Sequence, residues 1–294
     1  MTTNGGSGRR VRKLAESALK HVFLILMALI SIYPVLYVVS IAFSPGEALT
    51  SPNLVLGIFP VPTSFTLQHF TSILKLEVVA GSNFPVWVKN SAIITVSSVA
   101  GSVALTLPAG YAFSRRRFRG HEASMFSFLL PTMFPGVVTI IPQFLLFARL
   151  GLVNTYFGVI IPYMVGSLSL SIFIMKSAFD SIPKEIDEAA MIDGAGEFRI
   201  FSRMLLPLTL PSIATVSLWA FMGAWLDWAL AHVMLGNNAL WTLPLALYAF
   251  LQPNYTYYGS FSALALIMAI PVFVVFLVFQ KYLVTGLTAG SVKG

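Results

Sequence analysis

The sequence predicts an all-α integral membrane protein with six membrane-spanning helices and both termini on the cytoplasmic side. Hydrophobic residues make up 57% of its 294 positions and charged residues only 10%, where a soluble domain carries about a quarter charged. The apolar residues collect in six stretches, 19–43, 87–114, 123–149, 154–176, 205–230 and 260–284. Each exceeds the roughly 20 residues that a helix needs to cross the hydrocarbon layer, where backbone polar groups must be satisfied internally. With the N-terminus inside, 15 of the 18 Lys and Arg residues fall on inner flanks, and only Lys75, Lys89 and Arg149 fall outside. Retention of positive charge on the cytoplasmic side sets this orientation.

Residues 1–18 form a basic cytoplasmic segment carrying Arg9, Arg10, Arg12 and Lys13. It resembles the front of a secretory signal, but the apolar run from Val22 to Phe43 is too long for a signal core and no small-x-small cleavage site follows it. Residues 19–43 therefore read as a retained first span. Residues 44–86 form an extracytoplasmic region in which Pro45, Pro52, Pro60 and Pro62 argue against a long helix and for a small extended or short-helix cap. Residues 87–284 hold five further spans with a cytoplasmic loop at 180–207, and residues 285–294 form a cytoplasmic tail. The absence of cysteine excludes disulfides and cysteine-based metal sites. The net charge of +7 is spread over short inner segments rather than forming the continuous basic surface that nucleic acid requires.

One segment does not belong in lipid. Six of the 11 acidic residues lie between Asp180 and Glu197: Asp180, Glu185, Asp187, Glu188, Asp193 and Glu197. Ser181 suits a helix cap and Pro183 a first turn, and Ile186, Ala189, Ala190 and Ile192 can share one side of a short helix. Asp193-Gly194 is a turn signal, after which a second helix restarts near Glu197 and runs through Phe198, Phe201 and Met204. The small Ala189 and Ala190 leave room for close approach by another protein; an ordinary solvated loop with a charged face is the other reading.

The stretch Glu188-Ala189-Ala190, three residues, Gly194, nine residues, Met204-Leu205-Leu206-Pro207 resembles the EAA motif of binding-protein-dependent ABC importer permeases, with Met204 where isoleucine is usual. Asp193 and Ala195 flank the glycine as the resemblance expects. It implies the type I ABC importer transmembrane fold, with the loop docking into a cleft of a homodimeric cytoplasmic ATPase. ATP and Mg would be bound by that partner, because no G-x-x-x-x-G-K-[ST] phosphate-cradling segment occurs in this chain. No catalytic residue is expected here.

Beyond the motif, Tyr111-Ala112-Phe113-Ser114-Arg115, Phe221-Met222-Gly223-Ala224-Trp225 and the ending Gly286 to Gly294 resemble the MalG-type permeases of maltose and maltodextrin importers. The resemblance implies a second, MalF-type permease, an extracellular sugar-binding protein and a location in a bacterial or archaeal cytoplasmic membrane. It also implies that Thr288, Ala289 and Gly290 contact the ATPase, although composition alone makes the tail a disordered terminus. The aromatic, uncharged outer stretch that includes Gln252, Pro253, Asn254, Tyr255 and Tyr257 resembles the loop that probes the sugar cleft of the binding protein. Aromatic residues also gather at membrane interfaces whatever the substrate.

Asp227 is the acidic residue placed inside a span, where an ionisable group marks a substrate pathway by default, unless it reaches water at the outer end. Asn90 is a second pathway candidate. His232 has no partner at a ligand spacing, so no metal site is expected. The alternatives to a maltodextrin importer are a permease for another oligosaccharide or polyol and an ion-coupled secondary transporter. The latter wants ionisable or broken-helix ion sites near the bilayer midplane.

Overall fold

The computed structural model describes the backbone of residues 5–47, 64–75, 84–251 and 257–289, and the side chains of those between 13 and 282. Every regular element among them is helical: α1 (Gly5–Phe43), α2 (Gln68–Lys75), α3 (Phe84–Arg115), α4 (His121–Leu129), α5 (Gly136–Arg149), α6 (Phe157–Asp180), α7 (Glu185–Ile192), α8 (Glu197–Leu208), α9 (Leu210–Trp225), α10 (Ala229–Met234), α11 (Leu243–Ala249) and α12 (Tyr258–Ala289). Two compact units result, one of residues 1–78 with 250–267, the other of 79–249 with 268–294.

Four helical stretches are long and apolar enough to cross a membrane unaided: Lys13–Phe43, Phe84–Arg115, Phe157–Asp180 and Tyr258–Tyr282. The other two expected spans are broken. His121–Met133 meets Gly136–Arg149 at 102°, and Glu197–Leu208 meets Leu210–Trp225 at 79°. Proline is the cause in both. Pro131 and Pro135 lack a donor N–H, and Phe134 takes the extended conformation (φ −97°, ψ 134°) favoured before proline. At the second break Pro207 and Pro211 flank Thr209, whose hydroxyl and backbone N–H both donate to the carbonyls of Leu205 and Leu206, at 3.2 and 3.1 Å. The preceding residues Ile200–Leu205 are wound as a π-helix, a rare winding that re-satisfies backbone groups beside a helix-breaking proline.

In the first unit α1 presents apolar side chains on every side over most of its length, as expected of a lipid-facing anchor. Its outer end stacks on the following segment through Phe43 against Phe65 and Phe70, with ring centroids 4.8 and 5.0 Å apart.

In the second unit α3 is the central element, packed against both α6 and α9. From Thr95 to Gly110 its buried face is small and mostly hydroxylated: Thr95, Ser98, Ser102, Thr106 and Gly110 recur at intervals of three and four residues. Lipid gives no hydrophobic reason for helices to associate, so close backbone approach and interhelical hydrogen bonds do that work. Ser102 and Ser167 share a bond of 2.6 Å between α3 and α6, and Trp225 Nε1 donates to the Met268 carbonyl at 3.1 Å, tying α9 to α12. Two apolar clusters close the ends of the unit. The outer one gathers Ile94, Phe147, Val159, Leu230, Met234 and Leu245. The inner one gathers Met175, Phe179, Ile182, Ala190, Ile200, Leu205 and Val216.

A methyl added at Gly110 would lie 2.7 Å from Met175 Cβ and 3.2 Å from the Lys176 backbone nitrogen, with no flexible end to move aside. Gly110→Ala is therefore expected to destabilise the chain by about 1–3 kcal/mol. Gly223→Ala enters open space and should leave the thermal midpoint in detergent unchanged, which thermal unfolding of the two variants checks.

Candidate functional site

The acidic loop folds as two helices joined by a tight stop. Three acidic residues in the first turn of α7, Glu185, Asp187 and Glu188, lie where the partial positive charge of the helix start favours them. The helix ends in a Schellman motif: Ala195 N–H donates to the Ala190 carbonyl at 2.9 Å and Gly194 N–H to Met191 at 3.0 Å. Gly194 has φ +78°, a left-handed conformation that costs other residues about 1–2 kcal/mol. Ser181 does not cap α7 as the sequence suggested. Its hydroxyl donates back to the Ala178 carbonyl at 2.7 Å and closes the end of α6.

The phase of α7 also differs from the expectation. Ile186, Asp187 and Ala190 turn inward, whereas Glu185, Glu188, Ala189 and Ile192 share the opposite, exposed face. These four occupy positions i, i+3, i+4 and i+7, one stripe of a helix. Ile192 is 87% exposed, and on the next helix Phe198 is 79% exposed. Asp193 and Pro207 are exposed, while Ala195 and Leu206 are half-buried, their side chains packed against the inner apolar cluster.

Beneath the loop, three consecutive residues at the inner end of α3 each take hold of one of its acids. Ser114 Oγ donates to Asp180 Oδ1 at 2.6 Å, and Lys176 holds the other oxygen of the same carboxylate at 2.5 Å. Arg115 Nε lies 2.6 Å from Asp187 Oδ2, and its Nη2 donates to the Ile182 carbonyl at 3.0 Å. Arg116 pairs with Glu197 at the start of α8. The Arg115 and Asp187 side chains are 7% and 9% exposed, whereas Arg116 and Glu197 are 59% and 50% exposed. Tyr111, one turn earlier, packs against Phe179 of α6 and Phe201 of α8 at 5.9 and 5.1 Å. The inner ends of α3 and α6 and both loop helices thus form one body.

Sequence reasoning missed this clasp. It used Arg115 and Arg116 to orient the chain and Arg115 within a family resemblance, and paired neither with the loop, although a short run of basic residues at a span end and a distant cluster of acids is itself a signal for pairing.

Both pathway candidates are engaged inside the protein. Asn90 is 1% exposed; its amide donates to the Ala239 and Trp241 carbonyls at 3.0 Å each, and its oxygen accepts from Tyr156 OH at 2.7 Å. Asp227 lies two residues past the end of α9 at Trp225, so the helix stops earlier than the predicted limit. Its carboxylate accepts from Tyr163 OH at 2.8 Å and from Leu230 N–H at 3.0 Å, starting α10. His232 packs beside the stacked rings of Trp228 and Tyr248. Thr288 and Ala289 end α12. Gly290, Gln252, Pro253, Asn254 and Tyr255 lie outside the described residues; Tyr257 N–H donates to the Phe250 carbonyl at 3.2 Å.

Residues 102–288 match the family described as binding-protein-dependent transport system inner membrane component. The chain belongs to this family. It is 35% identical to the galactooligosaccharides transport system permease protein GanQ of Bacillus subtilis (strain 168), over 97% of this chain and 98% of that one. It is 33% identical to the maltodextrin transport system permease protein MdxG of the same organism, over 99% and 100% of the two chains. Among solved structures it resembles a chain of a bacterial ABC transporter involved in import of the acidic polysaccharide alginate, with TM-score 0.77, 26% identity, and 96% and 100% of the two chains covered. The chain is thus a multi-pass permease of an ABC importer, and the matched region takes in both the clasp and the acidic loop.

Removing one partner of a buried ion pair strands the other charge, at a cost of about 3–5 kcal/mol. Arg115→Met should therefore lower the thermal stability of the permease sharply. Arg116→Ala, at a pair open to water, should leave it nearly unchanged, and unfolding scans of the two variants separate these outcomes.

Proposed function

We propose that this chain is the translocating permease subunit of an ATP-driven importer of neutral oligosaccharides, most closely maltodextrins, and that its acidic loop is where a separate ATPase drives it. The observation that carries the reading is the loop itself: an exposed face of Glu185, Glu188, Ala189, Ile192 and Phe198 on a body clasped to α3 and α6. Small and apolar residues allow close seating in a groove, and the two glutamates suit basic residues around it. Glu188, Ala189 and Ala190 with the Asp193-Gly194-Ala195 turn set the shape of this contact, and Leu206 and Pro207 set where the second helix meets its span. ATP and Mg belong to the homodimeric ATPase partner. Thr288, Ala289 and Gly290 supply a second contact with it.

On the outer side, a sugar-binding protein delivers the solute, and Gln252, Pro253, Asn254, Tyr255 and Tyr257 face its cleft. A second, MalF-type permease completes the path. A groove of about 290 Å³ between α6 and α9, lined by Tyr163, Ser167, Ser171 and Trp219 among others, carries no charged side chain. Hydroxyls and aromatic rings without a cationic clamp suit a neutral polyol better than an anion. Asn90 and Asp227 act on this path by fixing its walls. Galactooligosaccharides are the second reading, because a permease named for them is as similar to this chain as the maltodextrin one.

The test is ATP hydrolysis by the assembled complex in nanodiscs with its binding protein and panels of both sugars. Ile192→Glu and Phe198→Glu alter only exposed side chains and should cut stimulated hydrolysis by about tenfold or more, as loss of an interface hot spot does, while the permease pair stays assembled. Stimulation by maltodextrins alone supports the first reading, and by galactooligosaccharides alone the second. Undiminished stimulation in both variants overturns the assignment of this face.

A further inference from the structure

We propose that His69, Glu47 and Ser260 form a clasp on the outer face that joins the end of α1, α2 and the start of α12, and that it holds while the His69 ring carries a proton on both nitrogens. The inference stands on geometry within the first unit and is independent of the substrate.

His69 is 2% exposed. Its Nδ1 lies 3.0 Å from Glu47 Oε1 and its Nε2 lies 2.8 Å from the Ser44 carbonyl oxygen. Both partners only accept hydrogen bonds when Glu47 is ionised, so both ring nitrogens must donate, and only an imidazolium does that. The Glu47 carboxylate is held in turn by Ser260, whose backbone N–H donates to Oε2 at 3.0 Å and whose hydroxyl donates to Oε1 at 2.7 Å. Tyr258 N–H donates to the Glu47 carbonyl at 3.2 Å. Gly259 packs on the ring so closely that a Cβ there would lie 2.3 Å from it.

Glu47 is the charged group that faces the ring among the described residues; the other polar neighbours are the Ser44 carbonyl, the Gly46 backbone and the Gln68 amide at 3.5 Å. Burial favours the neutral imidazole, but the bonds to Glu47 and Ser44 outweigh it and the His69 pKa is raised. Burial likewise pushes Glu47 up, and the bonds from His69 and Ser260 outweigh it, leaving its pKa lowered. The His69 contribution is therefore full below the ordinary imidazole value and is lost as pH rises through the raised one. The Glu47 contribution is present above the ordinary carboxylate value and is lost as pH falls through the lowered one.

The clasp fixes Tyr258 at the start of α12, and it faces the external medium. Alkalinity outside the cell is thus the condition that loosens it. A neutral imidazole has one donor for two acceptors, and one of the three elements is then released.

The experiment uses the full chain with its partner permease in nanodiscs and ring-labelled histidine, of which the chain has four. One His69 signal with both nitrogens protonated at neutral pH, titrating above the ordinary imidazole value, is expected. Hydrogen exchange of residues 44–47 and 257–262, corrected for the rise of intrinsic exchange with pH, should lose protection by up to about tenfold per pH unit between the ordinary and raised values. Glu47→Gln should move the transition to lower pH, His69→Gln should abolish it, and Gly259→Ala should give fast exchange at every pH. A neutral His69 at mildly acidic pH overturns the proposal. So does exchange without the transition in the native chain, and that result decides the matter even where a variant fails to fold.

Discussion

The ion pair between Arg115 and Asp187 is the interaction on which the rest of the inner face depends. Two charges taken almost wholly out of water are costly, and each is tolerable only because the other is 2.6 Å away. The pair cannot be opened part-way without leaving a charge stranded. Arg115 also reaches the Ile182 carbonyl, so the end of α3, the end of α6 and α7 meet at a single guanidinium. The Ser114 and Arg116 contacts on either side are more exposed and add direction more than strength.

Under the proposed coupling, that rigidity is what lets a push on an eight-residue helix move spans. A partner biases a two-state protein only through contacts that differ between the states, and a soft loop would absorb the displacement. Here α7 and α8 pack into the same apolar cluster as α6 and α9, and further up α3 and α6 meet through small residues such as Ser102 and Gly110. The places where the chain bends are elsewhere, at the proline-containing breaks near Phe134 and Thr209. Rigid bodies joined at defined breaks are the usual construction for alternating access.

Much of this was legible in the sequence, for identifiable reasons. Hydropathy finds spans because lipid demands it, and the Asp193-Gly194 stop was legible because a left-handed turn strongly favours glycine. The breaks were not: a hydropathy window sees only that residues 123–149 are apolar, although Pro131 and Pro135 were in plain view. The face of α7 was misjudged because Ile186, Ala189, Ala190 and Ile192 looked like one apolar set, whereas burial of Asp187 rotates the helix and turns Ala189 and Ile192 outward. That burial depends on Arg115, 72 positions earlier in the chain, and no local pattern announces such a pair. Asp227 was placed within a span because apolar residues continue on both sides of it, but its carboxylate starts a new helix.

The central claim, that the loop moves as one body with α3, is open to a direct distance measurement. The chain contains no cysteine, so spin labels at Met191→Cys on α7 and Leu105→Cys on α3, both exposed, report one distance in a complex with cysteine-free partners. In the native clasp that distance should be narrow and equal in the nucleotide-free and ATP-bound states, and it should broaden in the Arg115→Met background. A shift between nucleotide states with the clasp intact would mean that the loop moves independently of α3, and would contradict the account.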